Sequence, residues 1–273
     1  MNLSWRAWWV GEMVGTFLLV FFGCGSVAAA VLTGAQVGIF QVAIVWGLGI
    51  ATAIHLTGAL SGAHLNPAVT CALATCMDFP LRRVLPYIAA QLTGAIAAAA
   101  VLHAVFAGPL SAYETAHGIV RGAPGSEASA MIFGEYFPNP SGQALTAAGR
   151  AVVTPARAFL VEALGTAILV LVIFSVTDRR NAARPTAQVP LAIGLTVTLL
   201  ISLLAPLTQA GFNPARDFGP RLWSAFAGWG SVPFTANGWG WLTVYILAPL
   251  VGGQVGGILY RVLLKPHYAA DVE

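Results

Sequence analysis

Long apolar stretches separated by short polar segments are the dominant pattern of this chain. Six of them are long enough to cross a bilayer as helices, and they cover residues 8–32, 40–60, 85–106, 159–177, 189–207 and 241–264. The hydrocarbon core of a bilayer takes roughly 20 apolar residues in helical form. The pattern therefore predicts an all-α membrane protein with six transmembrane helices. The first stretch is not expected to be a cleaved signal peptide, because its apolar run is too long and contains Glu12.

The two halves of the chain repeat one another. Residues 12–16 (Glu-Met-Val-Gly-Thr) match residues 162–166 (Glu-Ala-Leu-Gly-Thr), and an Asn-Pro-Ala triplet at 66–68 recurs at 213–215. The offsets, 150 and 147 positions, are nearly equal, which indicates a duplication. Each half contains three spans, an odd number, so the second half must start from the opposite side of the membrane. The internal repeat is therefore inverted.

We expect one domain, residues 1–273, built from both repeats. Repeat 1 covers about residues 5–107, an extracytoplasmic loop about 108–155, and repeat 2 about 156–265. The loop is rich in Gly, Pro, Ser and Ala and is too polar to span a membrane.

Each Asn-Pro-Ala triplet predicts the start of a short helix, since Asn is a strong N-cap and Pro suits the first helical position. After Asn66 about ten residues precede the break at Asp78-Phe79-Pro80, enough to cover half the bilayer core. We expect two re-entrant half-helices whose positive ends point at one spot near the midplane and disfavour cations and protons. A single Asn-Pro would favour a simple turn, but two copies at matched positions favour the half-helices.

The asparagines also supply hydrogen-bond donors. An N-cap Asn accepts a backbone N–H with its side-chain oxygen, which leaves its amide N–H groups to bind a molecule in a pore. A water molecule held by two such donors has no inward acceptor and cannot relay a proton. Non-helical backbone precedes each triplet, and at membrane depth it is tolerated where it lines a water-filled lumen. The predicted pore-lining residues of these segments are Gly62, Ala63, His64, Leu65, Gly211 and Phe212.

Composition and charge agree with a membrane protein. Hydrophobic residues make up 58% of the chain and charged residues 8%, and the mean hydropathy is +0.78, too apolar for one soluble core. The cations lie at span edges, which under the positive-inside rule places both termini in the cytoplasm. They form no basic face, so no nucleic-acid partner is expected. Cys24, Cys71 and Cys76 lack metal-type spacing, and neither a metal nor a cofactor is expected.

Residues 61–70 and 211–216 resemble the paired signatures of the aquaporin, or major intrinsic protein, family. The six triplet residues that carry the resemblance are Asn66, Pro67, Ala68, Asn213, Pro214 and Ala215. The resemblance covers nearly the whole chain. It implies the aquaporin fold and a multi-pass channel in the plasma or inner membrane, in contact with lipid. It also implies a homotetramer with one pore in each subunit.

Within that family the chain resembles the glycerol-facilitator branch. That branch has an Asp directly after the second signature (residues 211–216), a basic residue four positions later, and a Pro followed by Leu or Ile in the last span. This chain has Asp217, Arg221 and Pro249-Leu250 at those places, and residues 136–140 also resemble the branch. The resemblance implies passive conduction of glycerol and water, with exclusion of ions and protons.

Alignment with the family implies a selectivity filter made of Trp46, Ile201, Ala210 and Arg216. Ala210 stands where glycerol facilitators usually carry a second aromatic residue, which widens the pore. The set resembles plant nodulin-26-like channels, so arsenous acid and boric acid are alternative solutes. Without the alignment, Trp46 and Ile201 would be assigned to packing or to the lipid surface. Arg216 is a charge at membrane depth, which favours a function in the filter.

Three acids and one histidine complete the candidate site. Glu12 and Glu162 lie within spans and occupy matched positions, and each is expected to accept hydrogen bonds from backbone N–H groups before a triplet. Asp217 either orients Arg216 or makes another loop contact. His64 either lines the inner vestibule, as the family implies, or packs.

Two other classes of protein remain as alternatives. A proton-coupled transporter also uses inverted repeats and broken helices, and Glu12 or Glu162 would be its proton site. A membrane enzyme lacks support because the chain contains neither Gly-x-Ser-x-Gly nor His-Glu-x-x-His. The matched half-helices favour a passive pore.

Overall fold

The computed structural model describes residues 4–35 and 38–268, and these residues form helices and turns without a strand. Six helical segments in this part of the chain are long and apolar enough to cross a membrane. They run Trp5–Thr33, Ile39–Ser61, Leu81–Val105, Pro155–Thr177, Thr186–Thr208 and Gly240–His267. The predicted all-α membrane fold is confirmed. The cytoplasmic location predicted for the two chain ends concerns residues outside the described ranges.

The α-helices are numbered in chain order. They are α1 Trp5–Thr33, α2 Ile39–Ser61, α3 Pro67–Cys76, α4 Val84–Val105, α5 Ala107–Ala116, α6 Glu127–Ala130, α7 Ala147–Val152, α8 Pro155–Thr177, α9 Val189–Thr208, α10 Pro214–Ser224, α11 Val232–Thr235, α12 Gly240–Leu242 and α13 Ala248–Leu259. Short 3-10 turns precede α4 and α9, at Leu81–Arg83 and Thr186–Gln188. The last span has π-helical segments at Thr243–Leu247 and Tyr260–Leu264 on either side of α13.

The two half-helices begin at the asparagines. The Asn66 side chain accepts a hydrogen bond from the N–H of Ala68 at 2.8 Å, and Asn213 accepts from Ala215 at 3.0 Å. A proline follows each cap, so α3 has 10 residues and α10 has 11. At about 1.5 Å per residue each covers about half of a bilayer core.

Glycines set how the two repeats pack. Equivalent glycines, Gly47 of α2 and Gly194 of α9, touch each other, because a Cβ on either one would overlap the carbonyl oxygen of the other. In α13, a Cβ at Gly256 would overlap the carbonyl oxygen of Ala167 in α8, and one at Gly253 would lie 3.0 Å from that of Ala68 in α3. The last span therefore packs on the first helix of its own repeat and on the half-helix of the other.

Repeat 1 packs in the same way. A Cβ at Gly94 of α4 would overlap the carbonyl oxygen of Met13 in α1, and one at Gly219 of α10 would lie 2.6 Å from the Cβ of Ala95 in α4. The third span of each repeat thus lies between the first span of its own repeat and the half-helix of the other. The two repeats inferred from the sequence therefore pack in equivalent ways, and each contributes a half-helix to the packing of the other.

The segment between the repeats, predicted as a loop, contains α5, α6 and α7. Two buried acids hold it together. Glu114 accepts two hydrogen bonds from Nε of Arg121, both 3.0 Å, and buried Glu127 accepts from the N–H groups of Gly125 at 3.0 Å and Leu145 at 2.9 Å. Turn-rich composition therefore did not exclude an ordered segment at this place.

Candidate pore and selectivity filter

The two asparagines bind each other's repeat across the centre of the molecule. Asn66 Nδ2 donates to the carbonyl of Phe212 at 2.8 Å, and Asn213 Nδ2 donates to the carbonyl of Leu65 at 2.8 Å. One N–H of each amide is therefore already used. The sequence-based expectation that the whole amide stays free is corrected to one N–H per asparagine. The residues whose carbonyls accept these bonds both have a positive φ, 52° at Leu65 and 53° at Phe212.

Both asparagines line a cavity of about 320 Å³. All six residues predicted to line the pore from the two loops also line it, and so does Ala210. Aliphatic side chains from four spans also line it, namely Leu19, Ile50, Ile54, Leu169, Ile173, Val189, Ile193 and Val197. The lining of the first cavity thus combines polar groups from the loops with apolar groups from the spans. Pro67, Ala68, Pro214 and Ala215 do not line it, because they are buried in the first turns of the half-helices.

A second cavity of about 500 Å³ lies beyond the filter residues. Its wall includes polar groups of Asn139, Ser141 and Gln209 from the second repeat and the segment before it. Three residues line both cavities, and they are Trp46, Ile201 and Arg216. The structure therefore brings three of the four predicted filter residues together where the two cavities meet.

Arg216 is fixed between an aromatic ring and a carboxylate. Its Cζ lies 4.4 Å from the centre of the Trp46 ring, and its Nη2 lies 2.8 Å from Oε1 of Glu135. Both charged residues are buried, with exposed fractions of 4% for Arg216 and 0% for Glu135. A buried arginine with a carboxylate partner and a stacked ring has its guanidinium plane fixed, which suits a filter.

Sequence reasoning missed Glu135. It lies between the repeats, far from Arg216 along the chain, and no repeat or motif marks it. Gly211 lies directly against Glu135, because a Cβ at Gly211 would overlap Oε2 of Glu135. A glycine at 211, where the first repeat has His64, was the one signal that another group fills this space.

Asp217 contacts the loop and not Arg216. It accepts hydrogen bonds from Arg221 Nε at 2.9 Å and Nη2 at 2.7 Å, and from the backbone N–H of Glu135 at 2.7 Å. Arg221 also donates to the carbonyl oxygens of Glu135 and Pro233. The Asp217–Arg221 pair thus holds the segment that carries Glu135, which in turn binds Arg216.

Glu12 and Glu162 hold the two loops in matching ways. Glu12 accepts from the N–H groups of His64 at 2.9 Å and Leu65 at 2.8 Å, and Glu162 accepts from those of Gly211 at 3.0 Å and Phe212 at 2.7 Å. Each carboxylate also accepts from a hydroxyl group, that of Ser61 at 2.7 Å or that of Thr208 at 2.6 Å, and Glu12 accepts a fourth hydrogen bond from Gln91 Nε2 at 2.7 Å. Left-handed backbone costs a non-glycine residue about 1–2 kcal/mol, and these bonds offset that cost at Leu65 and Phe212.

His64 lines the first cavity and is also packed. Its ring centre lies 4.7 Å from that of Phe79 and 4.8 Å from that of Tyr87. His64 therefore both lines the cavity and packs against aromatic side chains, so the two alternatives for this histidine do not exclude each other. Within the described ranges, no group of three or more His, Cys, Asp or Glu residues is placed to bind a metal ion.

Comparison with known proteins places the chain. Residues 2–260 match the family model described as Major intrinsic protein. The chain is 40% identical to the glycerol uptake facilitator protein of Escherichia coli (strain K12) over 264 residues, 96% of this chain and 90% of that protein. It is 41% identical to the glycerol uptake facilitator protein of Pseudomonas aeruginosa over 259 residues, 94% and 88% of the two chains. It is 40% identical to the propanediol uptake facilitator PduF of Citrobacter freundii over 265 residues, 97% and 94%.

A solved structure has the same fold over nearly the full length of the chain. The X-ray structure of the aquaglyceroporin from Plasmodium falciparum matches with a TM-score of 0.79 at 27% identity, covering 96% of this chain and 98% of that one. Family model, relatives and structure all cover nearly the full length. The chain therefore belongs to the major intrinsic protein family.

Proposed function

We propose that this protein is a passive membrane channel for glycerol and other small neutral polyols. The observation that carries the proposal is the meeting of two cavities at Trp46, Ile201 and Arg216, with the asparagine pair lining the first of them. The relatives described as glycerol and propanediol uptake facilitators support it.

The mixed lining of the first cavity suits a polyol. Loop backbone, the asparagine amides and the Arg216 guanidinium offer hydrogen bonds, while aliphatic side chains from the spans offer apolar contacts. A polyol has hydroxyl groups along one edge and C–H groups along the opposite edge, so it can replace its water shell without leaving polar groups unpaired. Ions and charged molecules would lose hydration without compensation.

Water is proposed as a second permeant, because Ala210 leaves the filter without a second large aromatic side chain. The same open corner supports arsenous and boric acid as further candidate solutes, since both are small and neutral. Glycerol is the preferred candidate over the metalloid acids, because the similar proteins are described as glycerol or propanediol uptake facilitators.

Exclusion of cations and protons is proposed to come mainly from the half-helix ends. Both N-termini, at Asn66 and Asn213, lie at the first cavity, and each carries a partial positive charge of about half an elementary charge. Arg216 contributes less through its net charge, because Glu135 lies 2.8 Å from it. Arg216 contributes mainly as a hydrogen-bond donor of fixed orientation.

Passive conduction is favoured over proton coupling. The Glu12 carboxylate accepts four hydrogen bonds, from Ser61, His64, Leu65 and Gln91. A carboxylate offers about four lone-pair sites, so Glu12 has none left for a transported proton. Glu162 accepts three hydrogen bonds, from Thr208, Gly211 and Phe212, which use it to hold the second loop. We propose no catalytic activity and no cofactor.

We propose a cell-membrane location, plasma or inner, with both termini in the cytoplasm. An even number of spans puts both ends on one side, and the cations at span edges favour the cytoplasmic side. A homotetramer with one pore per chain is also proposed. His55 supports it, because this residue is exposed on α2 within a span, where lipid offers an imidazole no hydrogen bond.

Stopped-flow light scattering on proteoliposomes tests the proposed solute. Native protein should admit glycerol much faster than empty vesicles do, and Ala210→Phe should slow glycerol by narrowing the filter. Ala97→Phe is the control, because Ala97 is exposed on α4 and lines neither cavity. Glycerol uptake at the rate of empty vesicles, with fast water, would assign the protein to water or metalloid acids instead.

A further inference from the structure

The two ring nitrogens of His64 have different surroundings. Nδ1 lies 3.2 Å from the hydroxyl oxygen of Thr70. Nε2 has no hydrogen-bond partner among the described residues, and the residue lines the first cavity. Contacts with Phe79 and Tyr87 hold the ring plane. The question is which nitrogen carries the proton, because a neutral imidazole donates from one nitrogen and accepts at the other.

The hydrogen-bond partners of Thr70 determine which nitrogen of His64 is protonated. Its Oγ1 lies 3.0 Å from Gln91 Nε2 and 3.0 Å from the carbonyl oxygen of Asn66. The orientation of the Gln91 amide is set, since the same nitrogen donates to Oε2 of Glu12 at 2.7 Å. Gln91 is therefore a donor to Thr70.

A hydroxyl group has one hydrogen and two lone pairs. If Thr70 donates its hydrogen to Asn66, it accepts from Gln91 and from His64, and all three contacts become hydrogen bonds. If the hydroxyl instead turned to donate to His64, its contact with the carbonyl of Asn66 would be lost. The arrangement that uses every contact puts the proton of His64 on Nδ1.

We propose that Glu12, Gln91 and Thr70 fix His64 in the Nδ1–H form, so that its bare Nε2 accepts a hydrogen bond from the permeating molecule. His64 is then a specificity-determining residue of the first cavity, and Thr70 and Gln91 are its positioning residues. The proposal deepens the proposed function, because the hydroxyl hydrogens of a polyol or of water are the donors that this nitrogen takes.

The two repeats differ at the positions that carry this acceptor and the filter donor. Position 211, equivalent to 64, is Gly, and position 69, equivalent to 216, is Val. The second repeat therefore contributes the donor Arg216 and the first contributes the acceptor His64. A solute that passes both must accept at one and donate at the other, as a hydroxyl group does.

Nitrogen NMR on native proteoliposomes tests the tautomer without reference to transport. Protein with ¹⁵N-labelled histidine is compared with His64→Gln, so that the resonances missing from the variant are those of His64. We expect a protonated Nδ1 and an unprotonated Nε2 near neutral pH. A protonated Nε2 in the native protein would overturn the proposal, whatever the protein transports.

Glycerol permeability of Thr70→Val tests the consequence. Valine has nearly the same shape without the hydroxyl, so the proton is free to move to Nε2 and the acceptor is lost. We expect glycerol permeability to fall about fivefold, the effect of one hydrogen bond of about 1 kcal/mol. Thr93→Val is the matched control, because Thr93 is exposed on α4 and donates only to its own helix, at Ala89.

The two readouts separate the possible failures. Unchanged glycerol permeability in Thr70→Val together with a shifted tautomer would contradict the proposed contact. A native protein with bare Nε2 but no glycerol flux would leave the tautomer standing and refute the proposed function. A Thr70→Val protein that does not fold leaves the native NMR spectrum to decide.

Discussion

At the scale of single residues, the outer filter depends on a buried ion pair. Arg216 is held by the Trp46 ring at 4.4 Å and by Glu135 at 2.8 Å, and the pair is almost fully buried. Burying a charge is costly unless a partner compensates it. Glu135 therefore sets both the position of the guanidinium and the charge that a solute meets.

Glu135→Ala should destabilise the protein strongly, because it leaves the Arg216 charge buried without its partner. Breaking a buried pair costs about 3–5 kcal/mol, which corresponds to a fall of about 6–20 °C in the unfolding midpoint. The measurement is thermal unfolding in detergent. Arg82→Ala is the control, since Arg82 is an exposed charge that makes no ion pair with a described residue, and such surface changes are usually worth about 0.5 kcal/mol or less. Equal losses in the two variants would argue against the buried pair.

Sequence reasoning recovered part of this site. Residues next to the two Asn-Pro-Ala triplets could be predicted, because caps and prolines act within a few residues. Glu135 could not, since its contact with Arg216 joins distant positions through the fold. Nor could the donation by Asn66 to Phe212 be predicted, because it depends on how the two half-helices face each other.

At the scale of elements, glycine decides where spans approach closely. A Cβ at Gly256 of α13 would overlap a carbonyl oxygen of α8, whereas one at Gly58 of α2 would meet nothing within 4 Å. Both residues lie inside helices, so the two positions differ in packing and not in helix type. The last span has glycines at 252, 253, 256 and 257, but their spacing does not identify the neighbouring helices, which only the structure shows.

Gly256→Ala and Gly58→Ala make a matched pair. Overpacking a close contact costs about 1–3 kcal/mol, so Gly256→Ala should lower the unfolding midpoint by about 2–12 °C. Gly58→Ala should leave it unchanged or raise it, because alanine favours helix by up to about 1 kcal/mol. A Gly256→Ala protein as stable as the native one would show that α8 and α13 are not in close contact.

The end of α8 carries a pH-dependent contact outside the membrane-spanning segments. Hydrogen bonds from Arg180 hold the pKa of the Asp178 carboxyl well below its ordinary value of 3.8, and the Tyr260 hydroxyl also donates to it. A lowered pKa means that the ionised carboxylate stabilises the fold above its ordinary pKa, and that this contribution is lost as the pH falls towards the folded-state pKa.

Asp178→Asn should therefore lower the unfolding midpoint at pH 7, and the difference from the native protein should shrink as the pH falls below about 4. Thermal unfolding over a pH series measures it. Asp78→Asn is the control, because Asp78 is exposed and makes no ion pair with a described residue. A difference that stays constant down to low pH would contradict the ionised contact.

At the scale of the whole molecule, the pore lies between two interlocked repeats. Each third span packs on the half-helix of the other repeat, so neither repeat can form the lumen alone. The chain pattern predicted this architecture, because spans and triplets recur at nearly constant offsets. The helices between the repeats were not predicted, since they depend on buried acids such as Glu127 and not on periodicity.

Assembly belongs to this scale. The proposed homotetramer should show a protein mass four times the chain's 28.3 kDa when light scattering is corrected for bound detergent. His55→Lys should shift it towards monomers, because a larger charge on the exposed face of α2 is costly against a neighbouring chain. A monomeric native protein would refute the tetramer.

The most direct test of the central claim is the rate of glycerol uptake into proteoliposomes measured with and without an imposed proton gradient. A passive channel predicts uptake far above that of empty vesicles, unchanged when the gradient is reversed or collapsed, and no acidification of the lumen during uptake. Uptake that disappears when the gradient is collapsed would contradict the account and identify a proton-coupled transporter.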